Sequence, residues 1–129
     1  MVNVNITILL IDDDRDDYEI FCLALKEINN NITCLRAGYC EDAIDDLAAK
    51  KIYPTYIFLD LNMPKMLGRE CLVHLKKMEH LKTIPVIIYT TSKREQERIE
   101  LLGIGADHYI TKKNTIDELV KELKTIIPV

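Results

Sequence analysis

Runs of apolar residues and stretches with helical spacing alternate five times along the chain. The apolar run Ile6-Thr7-Ile8-Leu9-Leu10-Ile11 reads as a buried strand. Tyr18, Phe21, Cys22, Leu25 and Ile28 follow, spaced three and four apart, so they share one face of a helix. Ile32 to Leu35 forms a short strand, and Ala43, Ile44, Leu47 and Ala48 mark a second helix. Tyr53-Pro54 interrupts the chain before a third strand over 55–59. Beyond Pro64 and Gly68, residues Cys71, Leu72, Leu75 and Met78 define the inner face of a third helix. Ile84-Pro85 leads into a very apolar strand, Val86-Ile87-Ile88-Tyr89. Ser92 and Glu95 have the spacing of a capping box ahead of a fourth helix. Gly103 and Gly105 are placed to end it, because glycine takes the left-handed conformation without steric cost. His108 to Thr111 is the fifth strand, and Asn114 or Thr115 caps a last helix carrying Ile116, Leu119, Val120, Leu123 and Ile126.

Strands that are apolar throughout, rather than alternately, belong to a parallel sheet covered on both faces. The pattern predicts an α/β fold with a doubly wound, five-stranded parallel sheet in the flavodoxin-like order 2-1-3-4-5. Its 129 residues are expected to form a single domain, residues 1–129, with nothing left over for an output domain. The formal net charge of −4 argues against a nucleic-acid-binding face, which needs clustered Lys and Arg. No stretch approaches the roughly 20 apolar residues of a membrane span. The start, Met1-Val2-Asn3-Val4-Asn5, lacks the basic segment of a signal peptide. Cys22, Cys34, Cys40 and Cys71 show no CxxC spacing, and His74, His80 and His108 supply no paired ligands for zinc. The expectation is a cytoplasmic protein with reduced thiols.

Chemistry enters at the carboxyl ends of the strands, which lie along one edge of such a sheet, where open α/β folds bind ligands. Asp12 and Asp13 close the first strand, Asp60 the third, Thr90 the fourth, and Lys112 the fifth. Carboxylates held that close repel one another unless a cation joins them, and Mg²⁺ suits an all-oxygen cluster. A phosphoryl group on Asp60 would be met by the ion, the Lys112 ammonium and the Thr90 hydroxyl. Asp12 could instead cap the first helix, but Asp14 fits that role better, and Asp16 and Asp17 then complement the helix dipole. The lysine pair Lys76-Lys77 reads as a solvated face.

With these residues in place, the sequence resembles the receiver domains of two-component response regulators, in their stand-alone form. The resemblance is carried by Ile8-Leu9-Leu10-Ile11-Asp12-Asp13-Asp14, by Phe58-Leu59-Asp60-Leu61-Asn62-Met63-Pro64 with Gly68, by Pro85 to Thr91, and by Gly105-Ala106-Asp107-His108-Tyr109-Ile110-Thr111-Lys112. It covers essentially the whole chain. It implies that Asp60 accepts phosphate from a histidine kinase or phosphotransfer protein. It also implies Mg²⁺ bound directly by Asp13, Asp60 and the Asn62 backbone carbonyl, with Asp12 acting through water. Thr90 and Tyr109 correspond to the switch pair and Lys112 to the phosphate-contacting lysine.

The implied role is a monomeric or weakly dimeric signalling module that catalyses only its own phosphorylation and dephosphorylation and acts on a downstream protein. Neither nucleic acid nor membrane is expected as a partner. The family usually has proline after this lysine, in a cis peptide. Here Lys113 stands there, and a non-proline cis bond costs about 2.5–4 kcal/mol, so a trans bond is expected, with Lys113 turned to solvent.

Three other classes compete. A haloacid-dehalogenase-type phosphohydrolase would use Asp12 and Asp14, but needs a cap domain for which the chain has no room. A flavodoxin-like FMN binder would want a hydroxyl- and glycine-rich phosphate loop after the first strand. A receiver working as an unphosphorylated interaction module would not need Asp13, Asp60, Thr90 and Lys112 together.

Overall fold

The computed structural model describes residues 5–62 and 67–128. Met63 and Pro64 of the quoted motif lie outside them. Five strands, β1 (Thr7–Ile11), β2 (Thr33–Ala37), β3 (Tyr56–Leu59), β4 (Val86–Thr90) and β5 (His108–Thr111), form one sheet in the order β2-β1-β3-β4-β5. All neighbouring pairs are parallel. The α-helices are α1 (Arg15–Ile28), α2 (Cys40–Ala48), α3 (Gly68–Lys77), α4 (Glu95–Ile104) and α5 (Ile116–Lys124). A 3₁₀ turn, Glu79–Leu81, follows α3.

Alternation along the strands divides the core in two. Leu9, Ile11, Ile57, Leu59, Val86 and Ile88 point to the face covered by α2, α3 and α4, where they meet Leu47, Leu72, Leu75 and Leu101. Ile8, Leu10, Phe58, Ile87 and Tyr89 point the other way, onto Phe21, Leu25, Leu119 and Leu123 of α1 and α5. Phe21 sits edge-on to Phe58, ring centroids 5.0 Å apart, and 5.3 Å from Tyr89. Because both faces are apolar, the central strands β1, β3 and β4 need no polar positions until their ends, and polar residues collect there.

Two helix starts, those of α1 and α5, are set by side-chain caps. The Asp14 carboxylate caps α1 by accepting from the Asp16 and Asp17 amides, and Thr115 Oγ1 caps α5 by accepting from Glu118. The expected capping box on α4 does not form. That helix begins at Glu95 with Arg94 as its uncapped N-cap, and Ser92 Oγ accepts from the Arg94 amide instead. Glu95 pairs with Arg98 on its own helix, so it is not free to reach back. Gly103 lies within α4, and Gly105, at φ +133°, ends it.

The thiols are not all reduced, contrary to expectation. Cys40 and Cys71, both fully buried, are joined in a disulfide between α2 and α3, while Cys22 and Cys34 are free. A separation of 31 residues hides this pairing. Only the packing of the two helices on one face brings the Cα atoms to 6.0 Å. Lys76 is likewise not simply solvated: its ammonium pairs with Asp107 at 2.9 Å, and its side chain is four-fifths buried.

Candidate functional site

At the carboxyl edge the register sets Ile11 beside Leu59, and Thr90 beside Thr111. The residues that follow these strands are therefore brought together. Asp12, Asp13 and Asp60 each offer a carboxylate oxygen, all within 4.8 Å of one another. Asp12 is fully buried and Asp60 nearly so, at 5 % exposure, whereas Asp13 is exposed.

Backbone bonds fix the cluster. The Asp12 amide donates to the Ala37 carbonyl, and the Asp60 amide to the Ile11 carbonyl. Arg36 on β2 braces the same turn. Its Nε donates to the Asp12 carbonyl at 3.2 Å and its Nη2 to the Asp13 carbonyl at 3.1 Å. Two of the acidic side chains also order the backbone just beyond them. Asp12 Oδ1 accepts from the Asp14 amide, and Asp60 Oδ1 from the Asn62 amide.

Lys112 enters from the end of β5, its side chain only 11 % exposed. Its ammonium lies 2.6 Å from Asp17 Oδ2, 3.0 Å from Asp12 Oδ2 and 3.7 Å from Asp60 Oδ2, and 5.3 Å from the centre of the Tyr89 ring. Asp17 had no place in the site on sequence grounds. Its first-turn position looks like a dipole contact, and only the approach of α1 to the end of β5 shows otherwise.

The charges are far from their behaviour in water. Burial raises the Asp60 pKa from 3.8 to about 6, with Lys112 opposing and Asp12 reinforcing the rise. Burial likewise raises Asp12 against its hydrogen bond from Asp14 and the pull of Lys112. Burial works against the Lys112 ammonium, but the carboxylates of Asp17, Asp60 and Asp12 outweigh it and hold its pKa above the ordinary lysine range. One ammonium thus faces more carboxylate charge than it neutralises. An all-oxygen cluster with surplus negative charge fits a hard divalent cation.

Thr90 is fully buried, and its hydroxyl accepts from the Ser92 amide at 3.3 Å. It therefore shapes the turn into α4 as well as lining the edge. The Tyr109 hydroxyl lies 3.2 Å from both the Ser92 carbonyl and Glu97 Oε1, which tethers it to the start of α4. No peptide bond is cis among the described residues, so the Lys112–Lys113 bond is trans. Lys113 turns away from the carboxylates as expected, but it packs half-buried on α5 and pairs with Glu122 at 3.4 Å rather than facing open solvent.

Comparison with known proteins matches this arrangement. The family model described as the response regulator receiver domain matches residues 8–124. The chain belongs to the response regulator receiver family. As a receiver it is a component of two-component signal transduction. It is 34% identical over 126 residues to the response regulator Rcp1 of Synechocystis, covering 92% of this chain and 84% of that protein. It is 35% identical over 121 residues to the phosphate regulon regulator PhoB of Pseudomonas aeruginosa, covering 94% of this chain but 51% of PhoB. The receiver thus spans about half the length of the PhoB relatives.

Among solved structures, the Mn²⁺-bound form of Rcp1 superimposes with a TM-score of 0.81 at 30% identity, covering 93% of this chain and 90% of that one. The phosphorylated cyanobacterial phytochrome response regulator RcpA gives 0.85 at 29%, covering 95% and 91%. The receiver fold and strand order agree with the sequence expectation. No described helix is long and apolar enough to cross a membrane.

Proposed function

We propose that this receiver is phosphorylated on Asp60 by a phosphohistidine donor, with Mg²⁺ held by Asp13, Asp60 and the Asn62 backbone carbonyl and assisted by Asp12. The observation that carries the reading is the meeting of Asp12, Asp13 and Asp60 within 4.8 Å beside the Lys112 ammonium. The bound ion would supply charge neutralisation for the carboxylates and the incoming phosphoryl oxygens. The protein's own part is positioning. Asp60 sits at the end of a buried strand with its Oδ1 oriented by the Asn62 amide, so Oδ2 is the oxygen turned toward Lys112. The Lys112 ammonium is close enough to follow a developing phosphoryl oxygen, and the Thr90 hydroxyl can donate to it.

That last bond supplies the switch. Thr90 and Ser92 share a turn, and Tyr109 is tethered to the Ser92 carbonyl and Glu97. Drawing the Thr90 hydroxyl toward a phosphoryl group disturbs the turn that holds Tyr109, and so alters the surface of α4, β5 and α5. A downstream protein that binds this surface better in one state shifts the equilibrium by its differential affinity. The output of this receiver is then a protein contact made by that surface.

The test is uptake of a phosphoryl group from acetyl phosphate with Mg²⁺, followed by intact mass. One acid-stable, base-labile phosphoryl group is expected in the wild type. Uptake at the same rate by Asp60→Asn would remove Asp60 as the acceptor.

A further inference from the structure

The Lys112 ammonium does not rest on the residue it is meant to serve. Its shortest contact is Asp17 Oδ2 at 2.6 Å, then Asp12 Oδ2 at 3.0 Å, while Asp60 Oδ2 lies at 3.7 Å, beyond hydrogen-bonding reach. An ammonium has three donors, and two of them are engaged by Asp17 and Asp12. Asp12 belongs to the acidic cluster itself. Asp17 does not: it stands on the first turn of α1, where its amide donates to the Asp14 cap. The helix dipole alone would favour a carboxylate there without asking it to reach the end of β5. The pair is also shielded, with the Lys112 side chain 11 % and the Asp17 side chain 31 % exposed. Its electrostatic weight is therefore greater than that of a surface ion pair.

We propose that Asp17 is a positioning residue that parks Lys112 on α1 in the resting receiver. Phosphorylation of Asp60 must then draw the ammonium off Asp17, and Asp17 biases the equilibrium toward the resting state. This rests on the reading of Asp60 as the acceptor. A lysine that is withheld most of the time lowers the apparent affinity for any phosphoryl mimic by the fraction of molecules in which it is free. Removing the Asp17 charge should raise that fraction. Were Asp17 instead needed to aim Lys112 at the phosphoryl group, the same change would lower the affinity, so the sign of the effect decides.

The experiment is a titration of beryllofluoride with Mg²⁺, followed by amide NMR shifts, in wild type, Asp17→Asn, Asp17→Glu and Asp16→Asn. Asp17→Asn should bind the mimic roughly three- to tenfold more tightly, the scale of coupling seen between side chains in contact. Asp17→Glu keeps the ion pair and should stay near wild type. Asp16→Asn removes an equal charge from the same helical turn, at an exposed position, and should change affinity by less than about twofold.

In a Lys112→Ala background the gain from Asp17→Asn should vanish. In the resting wild type, the lysine ammonium NMR signal of Lys112 should be protected from exchange, and in Asp17→Asn that protection should be reduced. Unchanged or weaker binding by Asp17→Asn, an equal gain from Asp16→Asn, or a gain that survives Lys112→Ala would each overturn the inference. Absence of beryllofluoride binding by the wild type would instead overturn the receiver-site reading beneath it, whereas wild-type binding without an Asp17 effect leaves that reading intact.

Discussion

Replacing Asp60 by asparagine should make the cation-free protein more stable, although it destroys the proposed acceptor. The Asp60 carboxylate is nearly buried, and burial raises its pKa from 3.8 to about 6. Between these two values the folded protein holds a proton that the unfolded chain has released. Stability therefore falls as pH rises through that window, and above pH 6 the full penalty is present. At 1.36 kcal/mol per pH unit, the move from 3.8 to about 6 amounts to on the order of 3 kcal/mol at neutral pH. The attraction of Lys112 is already included in that balance, because it opposes the rise. Asparagine has nearly the same shape and keeps an oxygen for the Asn62 amide, so the change isolates the charge. With urea m-values of about 1–3 kcal/mol/M, the midpoint should rise by about 1–3 M at pH 7.5 in EDTA. At pH 4 the difference should nearly close, since the carboxyl is then largely protonated in the folded state. Equal or lower stability of Asp60→Asn at pH 7.5, or a gap that does not change with pH, would refute this account of the site's electrostatics.

The same repulsion predicts that millimolar Mg²⁺ raises the wild-type melting temperature by RT ln(1+[L]/Kd). Asp13→Ala should lose most of that rise, and an undiminished Mg²⁺ response in the variant would remove Asp13 from the ligand set. Reduction of the Cys40–Cys71 bond, which closes a separation of 31 residues, should destabilise the fold by roughly 3–4 kcal/mol. A melt unchanged by a phosphine reductant would mean that the bond does not form in solution. Gly68→Ala should cost about 1–3 kcal/mol and slow phosphoryl uptake. A Cβ there meets the Leu61 Cα at 2.6 Å and the Asp60 carbonyl at 2.9 Å, both backbone atoms behind the acceptor. Wild-type stability by urea titration would show that the α3 start can move away.

The alternation of apolar runs carried the architecture because the central strands β1, β3 and β4, buried on both faces, carry almost no polar residue until they end. That is also why Asp12, Asp13, Asp60, Thr90 and Lys112 could be placed together: strand order and direction alone bring strand ends to one edge. What remained hidden depended on distances across the fold. Asp17 reaches Lys112, 95 residues away in sequence, because α1 passes the end of β5. Arg36 braces the acidic turn from a strand whose sequence gives no hint of it. Cys40 and Cys71 meet only when α2 and α3 pack side by side. The failure on α4 is different in kind: Ser92 and Glu95 had the right spacing, but Arg98 and Arg94 offered those side chains closer partners.

The role proposed for the carboxylate ending β3, as phosphoryl acceptor, can be tested chemically. Its most direct measurement is borohydride trapping, which reduces an acyl phosphate at aspartate to homoserine, followed by peptide mass mapping. After acetyl phosphate and Mg²⁺, homoserine is expected at position 60 and no conversion at Asp12 or Asp13. Conversion at Asp12, or a stable phosphate on Thr90 with residue 60 unmodified, would contradict it.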